Sequence, residues 1–285
     1  EEVRRRVRVG HRVQLTGANP VEVSRNVATV SLSAAALQLD RRSLYIACQA
    51  IANTLTELDN IQYVNILVAD KQVGLDIAST LPMGVFQRTL TLNAGAQYGQ
   101  ALAQRTENGV DARLTAVAAL YYPLGDMPGL MSEARSVAFE DQSPRTLVLA
   151  LLAALPECAH EGGVALPRLD TLLLEPPVID EADDSAQRVV ELRFSDDLDI
   201  ALAQEGLTRA DAMSATVYTL CGFVPNLYGV RFVVGEEPIQ SVTLPGGEPL
   251  RFANGVQRRS DYAALVMDLC TLYFADGDAP ALLRV

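Results

Sequence analysis

The stretch "NTLTELDNIQYVNILV", Asn53 to Val68, has a second version in the same chain, "YTLCGFVPNLYGVRFVV", Tyr218 to Val234. Thr54-Leu55 matches Thr219-Leu220, and Leu58 matches Phe223. After a one-residue slip, Ile61 matches Leu227, Val64 matches Val230 and Val68 matches Val234. The same order of elements can be read around each version. In the first, "ATVSLS" (28–33) sets Ala28, Val30 and Leu32 on one side of a strand. Asp40 or Ser43 can cap a helix start. Leu44, Cys48, Ile51, Leu55 and Leu58 then recur at steps of four and three, one apolar stripe on a helix. Asp59-Asn60 breaks it, and "YVNILVA" is predicted to be a buried strand. In the second, Val190, Leu192 and Phe194 share a strand face, and Thr208 can cap the next helix. Met213, Thr216, Leu220 and Phe223 form its stripe, Pro225 ends it, and "GVRFVVG" closes the unit. "LPMGVFQR" (81–88) and "LPGGEPLR" (244–251) punctuate both copies with a turn and a final Arg. They lack the Thr of a sortase signal.

A second unit also recurs. "AALYYPLGDMPGLMSEARSV" (118–137) matches "CTLYFADGDAPALLRV" (270–285), with Leu120-Tyr121-Tyr122 on Leu272-Tyr273-Phe274 and Leu130-Met131 on Leu282-Leu283. Each reads as a strand and hairpin. The first leads into a helix with Ser143 as N-cap, Pro144 at its first position and a Leu147, Leu151, Leu155 stripe. Thr54 and Thr219 lie 165 residues apart, and Leu120 and Leu272 lie 152 apart. Such a period is too long for a solenoid and fits tandem domains. The expected division is 1–105 for a first copy without its opening strand and helix, 111–253 for a complete copy, and 262–285 for the opening strand of a further one. "TENGVDA" (106–112) and "ANGVQRRSDY" (253–262) read as linkers. A hydrophobic strand over Leu265 to Phe274 needs a partner. Either it closes the first lobe as a permuted domain, or it belongs to a third.

The 285 residues are 49% hydrophobic and 20% charged, a globular composition. No run of 18 apolar residues is present, and the charged, alternating start "EEVRRRVRVG" is no signal peptide. A mature secreted chain would look the same. The net charge of −12 argues against nucleic acid. Charge is uneven, with Arg4, Arg5, Arg6, Arg8 and Arg12 at the start and Asp180, Glu181, Asp183, Asp184, Asp196, Asp197 and Asp199 in the centre. Solvated faces are the plain reading, and head-to-tail contact the sharper one. Cys48, Cys158, Cys221 and Cys270 form no C-x-x-C pair, which argues against a metal site.

The "LYYP…GLMSEARSV" opening, the "TLVLALLAAL" helix and the two paired blocks resemble the GerMN domain of the GerM sporulation and spore germination family. The resemblance covers most of 114–235 and 28–88, spread over many positions. It implies an α+β fold: tandem two-layer α/β sandwich domains, similar to the ring-building motif, with mixed sheets and helices packed on one face. It also implies an extracytoplasmic place, at the membrane or in the cell wall of a Gram-positive cell, a lipoprotein anchor and no catalytic site. No lipobox cysteine is visible in the sequence, so the anchor would sit on an absent lipidated N-terminus.

Residues that could carry chemistry are few. His11 and His160 accompany no nucleophile motif, and no phosphate loop follows a strand. The acidic run offers carboxylates without a glycosidase pattern. Asp196, Asp197 and Asp199 could bind Ca²⁺ weakly but lack the EF-hand glycine and glutamate. Glu133 and Arg135 look like an exposed ion pair. Catalytic, cofactor and metal residues are therefore expected to be none. Tyrosines suit protein interfaces or sugar surfaces, although alternation would bury about half of them. The candidate interface is Tyr121, Tyr122 and Tyr228, with Arg88 and Arg251. The expected function is a non-enzymatic envelope protein of sporulation or germination, an assembly or binding module contacting envelope or sporulation proteins or a second copy of itself. The alternative is a peptidoglycan-binding module that recruits wall hydrolases.

Overall fold

The computed structural model describes residues 13–17, 19–72, 84–88, 114–141, 143–158, 162–181, 188–244, 247, 249–266, 273–275 and 282–284. The basic start, both histidines, the 106–112 linker and Leu81–Met83 lie outside these residues.

The first sheet has strands β1 (Val21–Ser24), β2 (Val27–Leu32), β3 (Tyr63–Val68) and β4 (Val85–Phe86), side by side in that order. β2 and β3 are parallel, so a crossover must join them. Helix α1 (Arg41–Leu55) provides it. Asp40 is its cap and accepts from the Ser43 amide at 3.0 Å. Leu44, Cys48 and Ala52 of α1 bury against Ala28, Val30 and Leu32 of β2 and Val64, Ile66 and Val68 of β3. Ile51 and Leu55 pack at the rim of that core. The stripe stops there, because the helix ends at Leu55 and the chain turns; Leu58, expected to extend it, is 56% exposed.

β2 departs from the alternating pattern. All six of its residues are buried, Thr29 and Ser31 included. Strands of a parallel pair are usually covered on both faces, and here the second cover is the hairpin of β5 (Leu114–Pro123) and β6 (Leu130–Phe139).

After α2 (Pro144–Ala154), capped by Ser143 with Pro144 in its first turn, comes the second sheet. Its main path is β7 (Val178–Glu181), β8 (Arg188–Phe194), β9 (Leu227–Val234) and β10 (Glu237–Pro238). β8 and β9 are parallel and joined by α3 (Leu198–Gln204) and α4 (Arg209–Phe223). α3 begins at the end of the acidic run; Leu198 and Leu202, one turn apart, anchor it. Beyond lie the β11 (Ser241–Thr243) and β12 (Pro249–Arg251) hairpin, β13 (Val256–Gln257), a 3-10 turn (Arg259–Leu265), and the β14 (Tyr273–Ala275) and β15 (Leu282–Arg284) hairpin. The segment read as a linker, 253–262, is thus strand and 3-10 turn, and β13 pairs with β9. Of the strand expected over Leu265 to Phe274, Leu265 is in the 3-10 turn and Tyr273–Ala275 is β14.

The repeat extends to the register, apart from a shift between Arg188 and Val189 in β8–β9 that β2–β3 lacks. Ala28 faces Val64, Val30 faces Ile66 and Leu32 faces Val68. At matched positions, Val190 faces Val230, Leu192 faces Phe232 and Phe194 faces Val234. An antiparallel strand flanks β2 and β8 alike. β4 and β13 occupy the same rungs, opposite Val64 and Asn65 in one sheet and Val230 and Arg231 in the other. The molecule is α+β with mixed sheets. α4 differs from α1 in having a β layer on each side: the second sheet on one, β5–β6 on the other. All of its residues except Arg209 and Asp211 are buried.

Candidate functional site

Polar groups gather where the first sheet meets β5–β6 and α4. Alternation along β1 turns Glu22 and Ser24 to that side, and both are buried. The Ser24 hydroxyl accepts the Ser132 amide of β6 at 2.8 Å. The Thr29 and Tyr121 hydroxyls lie 3.1 Å apart, and the Tyr121 hydroxyl is 3.5 Å from Glu22 Oε2. The Tyr121 amide donates to the Thr219 hydroxyl of α4 at 2.9 Å.

Arg259, at the start of the 3-10 turn, closes the cluster. Its Nη2 donates to Glu22 Oε2 at 3.2 Å and its Nη1 to the Tyr218 carbonyl at 3.1 Å. The guanidinium stands 4.0 Å from the Tyr218 ring centroid and 5.5 Å from that of Tyr121. The two rings are 5.0 Å apart and tilted. The Glu22 and Arg259 side chains are 9% and 6% exposed. A buried charge must be paired, and a planar cation over an aromatic face gains more when desolvated. Burial alone would lower the Arg259 pKa; Tyr121, Glu22 and Tyr218 more than offset it, and the net shift is upward. Burial raises the Tyr121 and Tyr218 pKa values as well. At neutral pH this is a cation, its carboxylate and two neutral phenols. Beside it Asn19 donates to the Ala263 carbonyl at 2.7 Å. Asn19, Asp70 and Ser260 line a small polar cleft over Arg259. With its charges matched internally, the arrangement suits joining layers.

The sequence-predicted interface residues are placed differently. Tyr121 and Tyr122 are buried, so neither faces outward. Tyr121 serves the internal junction. The Tyr122 hydroxyl donates to the Glu157 carbonyl at 3.0 Å. Arg135 reaches the Glu157 carboxylate at 2.8 Å and Glu133 at 3.2 Å. Glu133 is buried, so its pair with Arg135 is not the exposed one expected. Tyr228 is half-buried with the Arg258 guanidinium 4.3 Å from its ring centroid. Arg88 is exposed and pairs with Glu57. Arg251 is exposed at the end of β12. The spacing that likened these two arginines is not kept in three dimensions: β4 joins β3, whereas β12 pairs with β11. Asp199 pairs with Arg209 at 2.6 Å, which holds its carboxyl below the usual range.

Glu22, Thr29, Tyr218 and Arg259 were missed. The available signal was polar residues at inward positions, in "VEVS" (21–24) and at Thr29 and Ser31 of β2. Arg259 carried none, since 237 positions separate it from Glu22.

A second cleft opens between β11 and the start of α4, lined by Thr208, Arg209, Ser241, Thr243 and Leu244. Its polar groups are partly engaged. The Thr208 hydroxyl bonds Asp211 in a capping box, and Arg209 bonds Asp199. No helix among the described residues is long and apolar enough to cross a membrane.

No curated protein matches the chain in sequence. One solved structure, the tandem GerMN domains of the sporulation protein GerM from Bacillus subtilis, is similar at 15% identity and a TM-score of 0.33, over 86% of this chain and 78% of that one. Over residues 9–74, the chain is similar to the family Germane, sporulation and spore germination, in agreement with the resemblance carried by its repeated blocks.

Proposed function

We propose that the protein is a non-enzymatic module of sporulation or germination, placed in the cell envelope, which works by holding contact surfaces in a fixed arrangement. The observation that carries this is the buried Glu22–Arg259 pair between Tyr121 and Tyr218. It spends charge and aromatic surface on joining the first sheet to α4. Breaking such a pair by removing one partner costs ~3–5 kcal/mol, which suits a contact that keeps layers together. What faces outward includes β7, the edge of the second sheet on its main path, with Val178 46% exposed. The edge is short and carries an acidic residue, Asp180, a pattern that discourages indiscriminate strand pairing while leaving room for a matched partner. The partners we propose are envelope or sporulation proteins or a second copy of the chain. A lipid anchor on an N-terminal extension would set the place.

The test is light scattering over a range of protein and salt concentrations. The expected result is a mass above the 30.7 kDa of one chain that falls as salt rises. A single-chain mass throughout, together with co-sedimentation on insoluble peptidoglycan, would overturn assembly in favour of wall binding. For wall binding, an aromatic-lined groove is the expected feature, whereas the cleft at β11 is lined by hydroxyls, Arg209 and aliphatic groups.

A further inference from the structure

Three observations bear on the outer face of α1. First, the two hairpins share one register. Tyr121 faces Ser132, Tyr122 faces Met131 and Pro123 faces Leu130 in β5–β6. Tyr273 faces Arg284, Phe274 faces Leu283 and Ala275 faces Leu282 in β14–β15. Every one of these pairs is its counterpart displaced by the 152 residues that separate Leu120 from Leu272. Second, the repeat that maps Thr54-Leu55 onto Thr219-Leu220 maps Ala50, Thr54 and Leu58 onto Ala215, Thr219 and Phe223. The α4 trio is buried under β5–β6, where Phe223 meets Phe139 edge-on at 6.5 Å. Ala50 and Thr54 on α1, and Leu58 in the turn after it, are exposed, Leu58 to 56%. Third, the bond that seats β5–β6 has both halves conserved within the chain. The Tyr121 amide donates to the Thr219 hydroxyl, and the counterparts of these residues are Tyr273 and Thr54. The Thr54 hydroxyl donates to the Ala50 carbonyl at 2.8 Å, which leaves it able to accept.

We infer that the chain's own hairpin β14–β15 docks on the outer face of α1 and the turn after it, across Ala50 and Thr54 of the helix and Leu58 of the turn, as β5–β6 docks on α4. Small residues at Ala50 and Thr54 let a β layer approach the helix closely. Leu58 supplies the apolar contact that Phe223 supplies in the other copy. The Tyr273 amide then bonds the Thr54 hydroxyl. Docking gives α1 a second cover and joins the last strands of the chain to its first sheet. The inference stands on the internal repeat and is independent of the function proposed above.

The test is a disulfide between Thr54→Cys and Tyr273→Cys, in full-length protein with Cys158→Ser and Cys270→Ser. A hydroxyl that accepts from a backbone amide puts the two residues within the span a disulfide bridges, about 4.4–6.8 Å between Cα atoms. Mild oxidation is expected to give a reducible link within one chain, mapped by peptide mass spectrometry. Ile200→Cys with Tyr273→Cys, on the exposed side of α3, is expected to stay unlinked. Leu58→Ala, read separately by thermal unfolding of the full chain, is expected to lower the melting temperature. A link that forms only between two chains would overturn the inference in favour of a second copy as occupant. No link, or equal linking at Ile200, would overturn it outright, as would an unchanged melting temperature for Leu58→Ala. Circular dichroism of each variant confirms that it folds before oxidation.

Discussion

α1 and α4 hold the same station, each crossing between two parallel strands, and each is capped by an oxygen side chain. Their surfaces differ. α1 buries Leu44, Cys48, Gln49 and Ala52 and leaves Ser43, Ala50 and Thr54 to solvent. α4 is enclosed, and its composition shows how: Ala210, Ala212, Ser214, Ala215 and Gly222 keep the helix thin enough to fit between two β layers. A Cβ at Gly222 would already sit 3.5 Å from Arg259 Nη1 and 3.6 Å from Asn65 Nδ2. The number of layers on a helix is therefore written less in its apolar stripe than in how small its remaining residues are.

The comparison breaks most sharply at the junction. Glu22→Ala leaves Arg259 charged and buried, and should cost about 3–5 kcal/mol in urea unfolding. Glu22→Leu with Arg259→Met should cost less than either single change, because no unpaired charge remains. A double variant that loses as much as the sum of the singles would mean the pair does not couple. Next comes packing. Leu220→Ala, at a fully buried position in α4, should cost about 2–5 kcal/mol, and Ile51→Ala, half-buried in α1, should cost less. Equal losses would mean that Ile51 is packed as tightly as Leu220.

The two helical thiols sharpen the likeness. Burial pushes Cys48 and Cys221 up to about 12, with Arg259 opposing the shift at Cys221. A folded pKa above the unfolded one contributes stability that is whole below about pH 8.5 and is lost as pH rises toward the folded value. Stability measured over a pH series should therefore decline on the alkaline side. With Cys270→Ser in place, a thiol reagent should reach half-buried Cys158 first, and Cys48 and Cys221 only on unfolding. Rapid native labelling of either would contradict the burial. The caps should give the smallest effects. Asp40→Ala and Thr208→Ala should each cost roughly 0.5–2 kcal/mol. Thr208→Ala should cost more, because it also dismantles the reciprocal bond with Asp211.

The sequence made the repeat legible because strand registers and helix caps are local matters. Val64 and Val230 could be matched by eye, and so could Asp40 and Thr208. The paired valines do lie on equivalent rungs. The junction was not legible, because its partners are distant in the chain and its polar residues imitate a solvated face. Thr29 and Ser31 alternate with apolar neighbours as exposed residues would, yet Thr29 is buried against Tyr121 of β5 and Ser31 against Asp70. Arg259 sits in a Gln-Arg-Arg-Ser-Asp run whose composition says linker. α3 was hidden by the same bias, since the aspartates around Leu198 outweigh its two buried leucines.

The distance between Glu22 and Arg259 also orders events during synthesis. The first sheet can form on the ribosome long before Arg259 emerges. Its waiting face carries Glu22, Ser24, Thr29, Ser31 and Asn65, groups that water satisfies well. A nascent chain with valines at those positions would present a sticky β surface until β5–β6 emerges to cover it. The polarity that makes the junction hard to recognise also keeps the unfinished protein out of wrong partnerships until β5–β6 and then Arg259 arrive.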